Sequence, residues 1–270
     1  MMGFAFLLRA LLAAILGCAG SAALAAGLPE QARQRGRLEV GVRYVIPPYA
    51  AGAKYRTPEG VDTVLAEDLA ARLQVTLATL RATPVNRAQL LASGKADLVL
   101  AAVADSDPLL RSAAVVPTGY AAAPLAIMRT DTDIKTPQQL KGRTVCLSEG
   151  GAYVGAMAAR YGAIEKVFKA PADSLLALRV GGCDAAVHDD ALLNALLKLP
   201  EWKKFSARLT LGPRMSLVLI APAGDAGAAA FLKKTAHAWS EGSYWAGIRK
   251  KWANDVAFEV YLSQSVPDCH

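Results

Sequence analysis

The chain predicts an α/β protein of two lobes with a cleft between them, and three observations carry that expectation. Strand and helix patterns alternate along most of the length, the alternation falls into two series built from different residues, and neither shows the regular eight-fold spacing of a β/α barrel. With 270 residues, 53% of them apolar, the chain has enough hydrophobic material for a sizeable core, so a disordered chain is excluded.

In the first series "RLEVGV", Arg37 to Val42, alternates as a strand, and the prolines and glycine of "IPPYAAG" stop it. Val61, Leu65, Leu69 and Leu73 recur at helical spacing, with Glu67, Asp68 and Arg72 off that stripe, which predicts a helix from Asp62. "VTLATLRA" reads as a strand and "NRAQLLASGK" as a short helix. "ADLVLAAVA" is apolar throughout, as suits a strand covered on both faces. This order predicts parallel strands with crossover helices.

The second series opens with the strand "PLAIMRT". Thr136-Pro137 then starts a one-turn helix in "TPQQLKG", and "RTVCLS" is the next strand. Gly150 and Gly151 are expected to open a helix over Ala152 to Tyr161. "KVFKA", a helix from Ser174 to Val180 and the strand "CDAAVHD" follow. "MSLVLIAPAG" makes a further strand, and Ala226 to Trp252 reads as helical with a break at Glu241-Gly242-Ser243.

The net charge of +7 comes from 30 Lys and Arg that are scattered, with no aromatic interleaving, so a nucleic-acid partner is not expected. The first 26 residues read as a secretory signal peptide. Arg9 is followed by an apolar run and a small-x-small site at Ala23-Leu24-Ala25, while Gly17, Gly20 and Ser21 break the run against a membrane anchor. "ILGC", ending at Cys18, offers a lipoprotein route instead; both routes place the chain outside the cytoplasmic membrane, in the periplasm. Cys146, Cys183 and Cys269 then lie in an oxidising compartment. Cys146 and Cys183 sit at strands that could lie side by side and form a disulfide; three buried free thiols are the competing reading. Three histidines without Cys-x-x-Cys or His-Glu-x-x-His spacing predict no metal, and no cofactor motif occurs.

The segment "GGCDAAVHDD", Gly181 to Asp190, closes a short apolar run on His188, Asp189 and Asp190, an ending that suits the rim of a pocket. With "GVDTVLAEDLAARLQV", "LLASGKADLVLAAVA", "TPQQLKGRTVCLSEGG" and "GSYWAGIRKKW", it stands in an order that resembles the extracytoplasmic solute-binding proteins, family 3, of polar amino-acid ABC importers. The resemblance runs from Arg37 to Trp252. It implies the type II periplasmic binding fold: Rossmann-like lobes of residues 27–121 with 216–270 and of 122–215, joined by two crossovers. The cysteine placements resemble the branch with a disulfide inside one lobe.

The resemblance also implies a ligand site for a free amino acid, whose carboxylate and ammonium lose water on entry and need an Arg and a carboxylate placed to match. Arg111 stands near the family's carboxylate-clamping arginine, and Asp189 where its ammonium-binding aspartate stands. Arg111 could equally be a surface residue, and Asp189 a cap for "ALLNALL". Gly150 and Gly151 either offer backbone N–H groups at a helix start or relieve a tight turn. Tyr49 either walls the cleft or packs, and Tyr44 is a weaker candidate for that wall. Strand alternation sends His188 and Asp190 elsewhere. This chain departs from the family at Arg43, at Gly151-Ala152 and at Ala101 to Ala104, where acidic or hydroxyl residues are common. Arg43 would favour an acidic amino acid or a small dicarboxylate. A monomeric binding protein serving a membrane permease, not an enzyme, is therefore expected. An accessory protein without a ligand, and a cyclohexadienyl dehydratase-like enzyme using Glu149 and Asp189 as acids, are the alternatives.

Overall fold

A computed structural model describes residues 27–47, 54–104, 107–108 and 114–264. Residues 1–26, expected to be a signal peptide, with Cys18, and Tyr49, Arg111 and Cys269, lie outside the described residues.

The first lobe begins with α1 (Leu28–Arg35), β1 (Arg37–Val42), α2 (Val61–Leu73), β2 (Thr76–Arg81), α3 (Arg87–Ala92), β3 (Leu98–Val103) and β4 (Ala114–Ala122). The second holds β5 (Pro124–Met128), a 3-10 turn at Pro137–Leu140, β6 (Thr144–Ser148), α4 (Ala156–Tyr161), β7 (Ile164–Phe168), α5 (Pro171–Arg179), β8 (Ala185–Asp189), α6 (Asp190–Leu196) and β9 (Ala207–Thr210). The chain then returns through β10 (Met215–Ala221), α7 (Ala226–Ser240) and α8 (Tyr244–Ser263).

Each lobe is a five-stranded sheet, ordered β2-β1-β3-β10-β4 and β7-β6-β8-β5-β9. β2, β1 and β3 are parallel in one sheet and β7, β6 and β8 in the other, as the alternating pattern predicts, but β10 runs against both its neighbours and so does β5. These are the two strands that follow a crossing between lobes, so each enters its sheet from the cleft side and must point the other way. The α2 stripe of Val61, Leu65, Leu69 and Leu73 is buried, and burying each such leucine stabilises the fold by roughly 1.5–3 kcal/mol.

Two devices hold the strands that frame the cleft. Cys146 on β6 and Cys183 just before β8 form a disulfide. Asp190 grips the crossings: one carboxylate oxygen accepts the Ala123 N–H at 3.0 Å, and the other pairs with Arg214, which donates to the Ala121 carbonyl at 2.8 Å. The last helix, α8, packs on α5 and α6 as well as on α7. Its Glu259 accepts the N–H and hydroxyl of Thr57 at 2.8 and 2.6 Å, pinning the chain that leads into α2.

The disulfide closes a span of 37 residues, for which chain entropy gives about 3–4 kcal/mol. A Cys146→Ala, Cys183→Ala double variant is expected to unfold on the order of ten degrees lower. Thermal denaturation followed by circular dichroism checks this, and an unchanged midpoint contradicts it.

Candidate functional site

Asp189 occupies the carboxyl end of β8, where open α/β sheets present ligand-binding groups. It stands at the N-cap position of α6, yet its side chain makes no capping bond. Its two oxygens instead receive one phenol from each lobe. Tyr120, at the end of β4, donates to Oδ2 at 2.9 Å, and Tyr153, in the turn after β6, donates to Oδ1 at 2.6 Å. Burial pushes the Asp189 pKa above the usual carboxylate range, with the Glu59 charge adding to it; the two phenols and Arg43 oppose the shift without cancelling it. The same burial, reinforced by the Asp189 charge, keeps both tyrosines protonated.

Arg43 follows β1 on the first lobe. Its backbone N–H is held at 2.7 Å by Oδ2 of Asp62, a buried carboxylate in the first turn of α2. Arg43, Ala102, Tyr120, Ala122 and Leu217 from one lobe meet Asp189, Tyr153 and Ala152 from the other around a small recess of about 40 Å³. Arg43, Ala102, Ala152, Tyr153 and Met215 also line a larger cavity of about 330 Å³ that continues between the lobes.

The glycines behave differently from a helix-start anion site. The helix expected from Ala152 begins at Ala156, because residues 150–155 form turns ending on Gly155 in the left-handed region. Its first N–H groups are taken by Glu165, which accepts from Gly155 at 2.7 Å and Ala158 at 2.9 Å. Gly150 has φ +79 and lies so close to Tyr44 of the opposite lobe that a Cβ would sit 2.5 Å from that side chain. Tyr44 also donates to Glu149 across the cleft at 3.2 Å. Gly151 lines the larger cavity.

His188, fully buried, points into a polar cluster absent from the sequence reading. Its Nδ1 lies 2.7 Å from Oε2 of Glu59, a buried residue in the chain between β1 and α2. Its Nε2 lies 2.8 Å from Ser174 Oγ, whose hydroxyl donates to the Pro171 carbonyl at 3.0 Å. Nε2 is therefore a donor, and one proton is held between Nδ1 and Glu59. Ser148, at the end of β6, donates to the same Glu59 oxygen. Tyr120, Tyr153 and Glu59 escaped the sequence reading because each is one ordinary residue that only tertiary pairing brings to Asp189 or His188. The tyrosine in "GGAYVG" carried the only local hint.

Two mixed sheets, two crossing strands and a cavity between the lobes define the class: a cleft protein of the two-lobed type II periplasmic binding architecture. The chain belongs to the bacterial extracellular solute-binding proteins, family 3, whose model matches residues 38–255. Among solved structures, a mutant of ArgBP from T. maritima aligns with TM-score 0.54 at 21% identity, covering 84% of this chain and 99% of that one. An ancestral cationic amino acid solute-binding protein aligns at 0.57 and 19%, covering 83% and 98%. An amino acid ABC transporter substrate-binding protein from Streptococcus pneumoniae bound to L-arginine aligns at 0.56 and 16%, covering 85% and 98%. At these identities the likeness is one of fold. No curated protein matches the sequence. No helix among the described residues is long and apolar enough to cross a membrane.

A carboxyl with a raised folded pKa binds its proton more tightly in the folded state. Its stability contribution is thus present at low pH and lost as pH rises from the ordinary carboxylate value through the raised one. Asp189→Asn is expected to raise the melting temperature near pH 7 and to lose that advantage by about pH 4. Scanning calorimetry at both pH values checks this; a variant less stable than wild type at pH 7 contradicts it.

Removing Glu59 leaves His188 and Ser148 buried without their partner. Glu59→Ala should destabilise by about 3–5 kcal/mol, and Glu59→Gln, which keeps an acceptor, by less. Urea denaturation of the two variants gives the ranking, and equal midpoints would contradict it.

Proposed function

We propose that this protein is the periplasmic solute-binding component of an ABC importer, capturing a small polar solute, an amino acid or small carboxylate, by closure of its lobes. The observation that supports this best is Asp189, half-buried between the lobes and hydrogen-bonded by one tyrosine from each. Closure thereby assembles the site from both sides. The remaining lone pairs of Asp189 suit an ammonium, and Arg43 on the facing lobe suits a carboxylate, as does Arg111 by its place in the family pattern. Solved structures of the same fold include binding proteins with L-arginine bound. In this reading residues 1–26 direct export, with lipid attachment at Cys18 as the alternative route. The monomer in its closed form is what the permease recognises.

One observation favours a second reading, an enzyme of the dehydratase kind. Asp189 is a shielded carboxyl with a raised pKa, suited to act as a general acid. One solved structure sharing the fold, at 19% identity and TM-score 0.54, is an ancestral amino acid-binding protein described as a precursor of cyclohexadienyl dehydratase.

Thermal unfolding of residues 27–270 against the common amino acids, small dicarboxylates and prephenate tests both. A ligand at about a hundred times its dissociation constant adds roughly 2.7 kcal/mol, a shift of several degrees. A shift confined to one chemical class and lost in Asp189→Asn is the expected result. Prephenate consumption would favour the enzyme, and a folded protein that responds to nothing would sink the capture reading and leave an accessory role.

A further inference from the structure

Four consecutive residues between β1 and α2, Arg56 to Glu59, each reach a partner on the second lobe or on α8. Arg56 donates to Oδ1 of Asp173 on α5 from Nε at 3.1 Å and Nη2 at 2.9 Å, and to Ser263 at the end of α8 at 3.0 Å. Thr57 gives its N–H and hydroxyl to Glu259, the Pro58 carbonyl accepts the Trp252 indole N–H at 3.2 Å, and Glu59 holds His188 and Ser148. Glu259 and Trp252 lie on α8, which packs on α5 and α6. The segment is thus tied to the second lobe directly at both ends and through α8 in between. None of the four residues lines the recess at Asp189 or the larger cavity, whose walls include Arg81, Arg87 and Arg160. These bonds therefore form without any contact from a solute. Inside the cleft, Asp189 is the carboxylate that closing an empty site would strand, and Tyr120 and Tyr153 already satisfy both its oxygens.

We propose that residues 56–59 are a strap that holds the lobes closed before any solute arrives, so that the empty protein rests closed and a solute enters only when the strap lets go. In a two-lobed protein whose closure depends on the solute, the solute itself supplies the contacts that favour the closed form. Here the chain supplies them. Three of the strap's partners are carboxylate bonds to a guanidinium, a backbone N–H with a hydroxyl, and a histidine with a hydroxyl, the strong charge-assisted kind. Thr57 and Glu59 are buried, where such bonds are less weakened by water. Opening the lobes would take Glu59 from both its donors at once, because Ser148 and His188 stand at two strand ends of the other sheet. A strap of this kind tightens the affinity for a solute that fits the closed form, since closure is already in place, and slows its entry, which waits for opening. The inference concerns the empty protein and stands whichever solute the cleft takes.

Pulsed electron–electron resonance on residues 27–270, freed of solute by unfolding and refolding, tests the strap. Nitroxides are attached at Val85→Cys on the first lobe and Ile164→Cys on the second, both exposed positions, with Cys269→Ser and the Cys146–Cys183 disulfide intact. The solute-free protein is expected to give one short distance between the lobes. Arg56→Gln with Glu59→Gln is expected to add a longer distance, raising the open-to-closed ratio about tenfold or more. Arg56→Gln alone removes only the half-buried end of the strap and spares the Glu59 cluster, so it keeps the test decisive if the double variant fails to fold; it should raise the ratio about twofold or more. An open or evenly mixed wild-type protein without solute overturns the strap. So does a folded double variant as closed as the wild type or, where the double variant does not fold, an Arg56→Gln protein that is no more open. Either result leaves the capture reading standing, because the ligand panel decides that separately.

Discussion

One buried carboxylate, Glu59, holds the relation between the lobes on which the cleft depends. It leaves the first sheet between β1 and α2, yet its hydrogen-bond partners, Ser148 and His188, sit at the carboxyl ends of β6 and β8 in the second. A charge there could not remain buried alone, because its desolvation must be offset by donors. The sequence supplies them from two adjacent strands, with Ser174 and the Pro171 carbonyl behind His188 completing the chain. The lobe-to-lobe register is thus set by a satisfied polar network at the place where both strands deliver residues to the cleft.

Asp189 inherits its character from that neighbour. It follows His188 directly, so anchoring one positions the other, and the Glu59 charge adds to the burial that raises its pKa. A carboxyl kept in this condition weakens the fold at neutral pH. On the other side, Asp190 ties α6 to both crossing strands through Ala123 and Arg214. Three consecutive polar residues therefore face three ways: His188 to Glu59 of the other lobe, Asp189 to the two tyrosines between the lobes, and Asp190 to the crossing strands.

Much of this was legible along the chain. The α2 stripe, the parallel β1-β2-β3 unit and the Cys146–Cys183 pairing follow from local periodicity and compartment, and the structure contains all of them. The start of α4 was misplaced because Gly155 and the distant Glu165, not Gly150 and Gly151, set the helix end. The reversed direction of β5 and β10 was not legible either, since a strand's pattern is the same whichever way it enters a sheet.

By itself the sequence determined the two α/β series, the core faces of their elements and the placement of Asp189 at a strand end, because these depend on neighbours within a few residues. Tertiary structure alone decided that Tyr120 and Tyr153 converge on Asp189, that His188 turns inward to Glu59, and that Arg81, Arg87 and Arg160 wall one cavity. The two Asp189 hydrogen bonds join residues 69 and 36 positions apart, and the Glu59–His188 bond spans 129. Contacts of that separation leave no periodic trace in the chain and exist only once the sheets have packed and the crossings are set.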